Sequence, residues 1–293
     1  MAAELIKIVE VDLKRVDPST NERKKLRDFP WWLGGIAALM IAVVVALFTQ
    51  PAYLQSFRFI VTGLGITIYT TFAAFSVALV LGLLTGLGRI SPNIVIRNLT
   101  TLYVELVRGV PMLVLIFFIA FVGVPAVTGG LQRLGATLTE MGWEKWGTLF
   151  SAMKNSEVPM NLRAVTALAI TYGAFLAEIF RAGIESVNKG QMEAAMSQGM
   201  SRGQAMRYII LPQGIRNVLP ALGNDFISML KDSSLVSVLA VRDITQVARL
   251  HAGTTFHFRE AYLTLAVLYL SMTLLLSLLT RYIEKRTGNN GKQ

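Results

Sequence analysis

Cysteine is absent from the 293 residues, which excludes disulfides, thiolate nucleophiles and cysteine metal sites. Imidazole is scarce as well. His251 and His257 stand six apart with no carboxylate cluster near them, so they read as surface or interfacial side chains rather than as metal ligands. No G-x-x-x-x-G-K-[ST] run occurs, which excludes a phosphate-cradling loop of that kind. Nor is there a nucleophile–base set, which argues against a membrane-anchored enzyme. Charge is thin at 16% of residues, where soluble chains carry about 25%.

What fills the space is apolar. Hydrophobic residues make up 53% and mean hydropathy is +0.53, so the chain reads as an all-α integral membrane protein. Six spans are expected: Trp31–Phe48, Phe57–Leu87, about Leu102–Val122, Ala164–Phe180, Val218–Leu239 and Ala261–Leu279. A signal peptide competes for the first, but its charged region is too long and no A-x-A site follows Phe48. In the second span Gly63, Thr67, Thr71, Ala74, Ala78, Gly82 and Gly86 step by three or four, a seam where another helix can approach closely. Between spans three and four, Leu131, Leu134, Leu138 and Met141 suggest an amphipathic helix at the membrane surface.

The net charge of +10 is not spread as a nucleic-acid platform would be, because no aromatic residues interleave with the basic runs. Anionic lipid is the better partner. With the N-terminus inside, nineteen of the 28 Lys and Arg fall in interior segments, eight in exterior ones, and Lys231 within a span. That bias satisfies the positive-inside rule and places both termini in the cytoplasm. Residues 1–30 are then a basic cytoplasmic tail and 284–293 a second tail.

The connector after the fourth span reads EAAMSQGMSRGQAMRYIILP. Local physics makes it helix, turn, helix. Residues 190–198 are mostly good helix formers, and Gly199 sits where a left-handed C-terminal residue belongs. Ser201 and Gln204 have capping-box spacing, and Pro212 should end the second helix near Leu211. An ordinary cytosolic hairpin would account for that much.

The full pattern, Glu193-Ala194-Ala195, then Gly199, then Ile209, Leu211 and Pro212, resembles the EAA loop of permease subunits in bacterial ABC importers. In that family the loop is a coupling helix seated in a separate ATPase. The likeness extends over roughly residues 58–283. Glu105-Leu106-Val107-Arg108-Gly109-Val110-Pro111 is similar to the E-L-F-R-G-T-P stretch of polar-amino-acid permeases, with Val107 and Val110 departing from it. Ala177–Ile184 and Leu230–Leu235 also resemble that branch.

The resemblance implies a type I importer transmembrane domain over 57–283, with coupling loop 185–212 and an added N-terminal helix over 31–56. It implies no covalent chemistry and no cofactor, since ATP and Mg would be bound by the partner. The partners implied are two ATP-binding subunits, an extracytoplasmic solute-binding protein, and a second permease copy or paralogue. A secondary transporter would instead want inverted repeats and a midplane ion-coupling carboxylate, and no repeat is visible.

Two further sets of residues carry charge near or in the membrane. Glu105/Arg108 and Glu178/Arg181 each stand at i,i+3, and read either as gating ion pairs or as intrahelical salt bridges. In the fifth span Asn224, Ser228 and Lys231, flanked by Asp225 and Asp232, form one polar stripe. It reads either as a polar passage for a zwitterion or as a structural lock, Lys231 and an aspartate forming a buried pair at the dimer interface; Lys231-Asp232 could also lie past the end of the span, near the external surface.

Overall fold

The computed structural model describes residues 31–288, and every regular element among them is helical. The expected tail over 1–30 and residues 289–293 lie outside the described residues. Contacts divide the chain into two units, Met1–Pro51 and Ala52–Gln293. In the first, helix α1 (Trp31–Thr49) is an unbroken apolar run with no charged residue in its end turns.

The second unit is organised around one helix. Helices α2 (Pro51–Ile60) and α3 (Leu64–Arg89) are joined by the tight turn Val61–Gly63. Helix α4 (Ile94–Gly109) follows, then α5 (Met112–Phe118), which widens through Ile119–Gly123 into α6 (Val124–Glu140). Helix α7 (Glu144–Ser151) leads to α8 (Met160–Glu185), the buried centre. Ala164, Ala167, Leu168, Ala174, Leu176 and Ala177 of α8 are almost wholly inaccessible. Its buried Thr171 hydroxyl donates to the Ala167 carbonyl at 2.8 Å, so no polar atom of that side chain is stranded.

The seam on α3 meets α8. A Cβ at Gly82 would lie 2.6 Å from the Cβ of Leu176, and one at Gly86 would lie 2.8 Å from the Ala177 carbonyl oxygen. Only glycine permits that approach. Every small residue expected along the seam, from Gly63 to Gly86, is buried. Farther along, Gly183 of α8 meets Gly214 of α11 (Leu211–Asp232), the Gly183 Cβ position being 2.9 Å from the Gly214 carbonyl.

Several expected boundaries move, each for a local reason. Pro111 holds Val110 in an extended conformation (φ −111°, ψ 138°), so the expected span Leu102–Val122 is broken into α4 and a separate helix. The expected surface helix around Leu131–Met141 is the far end of the 29-residue run Met112–Glu140, folded against α7 through a turn at Gly142 (φ +84°). Gly135 and Gly147 make that hairpin tight: a Cβ at Gly135 would stand 2.6 Å from the Ser151 amide. Helix α11 stops at Asp232 rather than near Leu239, and Ser233–Leu239 coil as a tighter helix closed by left-handed Ala240 (φ 58°). Helix α12 (Ile244–Thr255) and helix α13 (Phe258–Gly288) complete the chain, so residues 284–288 of the expected C-terminal tail are helical.

Four helical runs among the described residues are long and apolar enough to cross a membrane: Pro51–Arg89, Met112–Glu140, Met160–Glu185 and Phe258–Ile283. Helix α11 is not among them; Arg216, Asp225 and Lys231 make it too polar by composition. One histidine also departs from expectation. His251 on α12 is buried, its Nε2 3.1 Å from the Ser56 hydroxyl and its ring stacked on Phe59.

The α3–α8 contact yields a stability test. Gly86→Val should cost about 1–3 kcal/mol by overpacking against the α8 backbone, lowering the unfolding midpoint in detergent. Gly65→Ala, where no atom lies within 4 Å, should be neutral or slightly stabilising in the same assay.

Candidate functional site

The hairpin between α8 and α11 is built as its sequence requires. Asn188 opens helix α9 (Lys189–Ser197), its side chain accepting the Gly190 amide at 2.8 Å. Gly199 at φ +83° closes it: the Gly199 amide donates to Met196 O at 3.0 Å and the Met200 amide to Ala195 O at 3.2 Å. That pair of bonds is a Schellman turn, which satisfies the last carbonyls of the helix. Ser201 and Gln204 then form a reciprocal capping box at the start of helix α10 (Arg202–Ala205).

The expected coupling residues divide by exposure. Glu193 and Ala194 face outward, whereas Ala195 is buried. Ile209 and Leu211 are half-buried at the hairpin's root and Pro212 is exposed. Pro212 does not stop a helix here. It follows directly on the widened turn Met206–Ile210, inside a helical run that continues without a break from Arg202 to Asp232. Asn217 ties the root to the end of α8, its amide donating to the Ser186 hydroxyl at 2.9 Å.

About two helical turns before the end of α8 lies a charge cluster. The carboxylate of Glu178 is held by Arg89 on one oxygen and by Arg181 on the other, with Arg108 at 3.9 Å. Arg181 also donates to Glu185 at 2.6 Å. The expected Glu178/Arg181 pair therefore forms. The expected Glu105/Arg108 pair does not: Glu105 turns to Arg89 at 3.5 Å and Arg108 turns to Glu178. Arg108 also lies 5.9 Å from the Phe175 ring centroid, a cation–π contact. The cause is α8, which brings one carboxylate between three guanidinium groups from three helices. Arg89, 13% exposed, is the residue that sequence reasoning missed. Its only signal was its place as the last residue of an apolar span before the Ser91-Pro92 break.

The polar stripe on α11 is partly open. Asn224 and Lys231 are exposed, while Asp225 and Ser228 are half-buried. Among the described residues no ion pair within the chain joins Lys231 to an aspartate. Asp232 is instead engaged by α8, accepting the Tyr172 hydroxyl at 2.7 Å. On the opposite face Phe226 packs between Phe72 and Phe75 of α3. No group of three His, Asp or Glu among the described residues is arranged to hold a metal.

The cluster gives a graded prediction. Arg89→Gln leaves a partly buried carboxylate short of its main cross-helix partner and should cost about 1–3 kcal/mol, between the values for exposed and buried pairs. Glu105→Gln removes a carboxylate that is 64% exposed and should shift the unfolding midpoint hardly at all.

Residues 78–289 match the family described as binding-protein-dependent transport system inner membrane component. The probable glutamine ABC transporter permease protein GlnM of Bacillus subtilis (strain 168) is 36% identical over 232 residues, 79% of this chain and 94% of that one. The probable amino-acid permease protein YxeN of the same organism is 34% identical, covering 79% and 92%. The glutamine transport system permease protein GlnP of Escherichia coli (strain K12) is 29% identical, covering 82% and 97%. A crystal structure of an amino acid ABC transporter with histidines superposes with a TM-score of 0.64 at 36% identity, over 80% of this chain and 96% of that one.

Proposed function

Because the chain belongs to the binding-protein-dependent transport system inner membrane components, a family of non-catalytic ABC importer permeases, we propose that it carries a polar amino acid inward across the cytoplasmic membrane, driven by separate ATPase subunits. The observation that carries this reading is the hairpin itself. A nine-residue helix, capped at both ends and presenting Glu193 and Ala194 outward, hangs between two helices of the bundle with little protein cover. Ala195 seats it and Gly199 turns it, so a force applied to α9 is passed to α8 and α11 through the Gly183–Gly214 contact.

In this reading two ATPase subunits grip the α9 helices of a permease pair, formed by two copies or by this chain and a paralogue. An extracytoplasmic binding protein delivers the solute. The basic bias of the interior segments supports cytoplasmic termini and a cytoplasmic hairpin. The amino-acid class is supported by the names of the relatives, two of them glutamine permeases at 29–36% identity. ATP and Mg belong to the partner. The Glu178 cluster, joining α3, α4 and α8 beside the hairpin, is suited to a gate that opens when those helices separate.

Reconstituting the permease with its ATPase and binding protein in liposomes tests the whole reading. ATP-dependent uptake of labelled glutamine or a related polar amino acid is expected, and uptake without ATP would sink it. In that system Gly199→Val should strain a left-handed position by about 1–2 kcal/mol and depress transport-coupled ATP hydrolysis while membrane insertion survives. A variant that transports at the wild-type rate would remove the coupling role.

The polar stripe is the proposed solute path. Asn224 and Ser228 lie on one face of α11, Asn224 exposed and Ser228 half-buried. Replacing either with leucine should abolish flux yet leave the assembled complex with measurable basal ATPase. Unchanged flux in both variants would take the stripe out of the path.

A further inference from the structure

Where α11 gives way to α12 the chain buries a carboxyl group. Asp243 caps α12, its Oδ1 accepting the Gln246 amide at 2.8 Å, and the whole residue is inaccessible. Its backbone is pressed into the turn between α2 and α3: a Cβ at Gly63 would lie 2.7 Å from the Asp243 carbonyl. The next amide, that of Ile244, donates to the buried Thr67 hydroxyl of α3 at 3.1 Å. On the other side Thr245 meets the Tyr269 hydroxyl of α13 at 2.9 Å. The second carboxyl oxygen is the anomaly. Asp243 Oδ2 is buried without a hydrogen-bond partner, and among the described residues no cation pairs with this carboxyl.

Few titratable groups surround it. Tyr269 faces it from α13, while the turn Val61–Gly63 and the coil Ser233–Leu239 present none. Arg242, its neighbour in the chain, is exposed, and His251 lies two turns along α12, engaged with Ser56. A buried carboxylate without a cation is costly. A protonated carboxyl is neutral and gains a donor for the oxygen that has no partner. We propose that Asp243 is a proton-operated latch on α12: with the proton on, α12 is seated against α3 and α13, and losing it loosens that seat. Burial pushes this carboxyl up to about 6, against the pull of the amides and the Thr245 hydroxyl around it. Because the proton is held to a higher pH in the seat than in the open chain, the seat is strongest in acid. It weakens as pH rises from the ordinary 3.8 through about 6, and is constant beyond. His251 works in the other direction. Burial holds its imidazole below the usual range, so acid charges it and strains the contact with Ser56. Since α12 follows α11 closely, the latch sets the mobility of one end of the proposed solute path. That path, and the side of the membrane that supplies the proton, rest on the reading above; the latch does not.

The test is hydrogen exchange of the α12 amides, read by mass spectrometry at pH 5 and pH 7 on the complex purified from its membrane into lipid nanodiscs. Protection, corrected for intrinsic exchange, is compared with that of an Asp243→Asn complex. Asparagine keeps the capping oxygen and does not titrate, and His251 is common to both proteins. The native-to-variant protection ratio should be about ten-fold higher at pH 5 than at pH 7. Thr67→Val removes the neighbouring hydrogen bond and no titratable group. It should lower protection yet leave the pH dependence in place. An equal ratio at both pH values would overturn the latch, since the carboxylate would then stay charged in its seat. A ratio that falls in acid would overturn it too, by reversing the sign. Should Asp243→Asn not assemble, Asp243→Ser, which also keeps a capping oxygen, serves as the reference. Failure of ATP-dependent amino-acid uptake would refute the proposed transport and leave this ratio unaffected.

Discussion

Backbone-to-backbone contact between α3 and α8 is the constraint on which the rest of the molecule depends. In a membrane there is little hydrophobic gain from joining two apolar helices, since lipid is as apolar as leucine, so close packing has to supply the attraction. Gly82 and Gly86 let α3 lie against Leu176, Ala177 and Phe180, and that depth of approach sets every other position. It brings Arg89, the last residue of α3, within reach of Glu178, which no shallower crossing would allow. It also turns the wider face of α8 toward α11, where a second pair of glycines repeats the device.

From that centre the polar features follow in sequence. A carboxylate on a helix buried among apolar neighbours is costly unless cations surround it, and Glu178 has three. The cluster thereby fastens three helices at the level where the bundle ends. Immediately beyond it the chain leaves the apolar zone and makes α9. There the capping box, the Asn188 cap and the Schellman turn satisfy backbone groups without help from the bundle. The hairpin is thus locally self-sufficient yet anchored at both ends, which suits the coupling role proposed for it.

The lower-lying charges obey a different rule. Arg163 of α8 is buried and, among the described residues, joins no ion pair; it is solvated by neutral oxygens instead. It donates to Ala120 O at 2.7 Å, to Asn155 O at 2.6 Å, to Asn155 Oδ1 at 2.7 Å and to Val158 O at 3.2 Å. The widened turn Ile119–Gly123 contains one of those carbonyls, so that local irregularity and the buried guanidinium account for each other. The long α6–α7 hairpin is held to the bundle at this point.

Much of this was legible in the residues. Periodicity of small side chains marked the buried face of α3, and the Ser201–Gln204 spacing and Gly199 marked the shape of the hairpin, because caps and left-handed turns are governed by neighbours a few positions away. The seven-position pattern around Glu193 named the family for the same reason: its meaning is local. Sequence failed where partners are distant. Glu105 and Arg108 looked paired at i,i+3, but Arg89 and Glu178 compete for both across helices. Tyr172 lies sixty positions from the Asp232 it holds, and nothing in either neighbourhood announces it. His251 gave no sign of burial until Ser56 and Phe59 were folded against it. Span limits moved at Pro111 and Asp232, where helix geometry rather than hydropathy decides the end. Local backbone chemistry was thus determined by the sequence alone, while the pairing of charges was decided only by tertiary structure, because an ion chooses the nearest opposite charge in space.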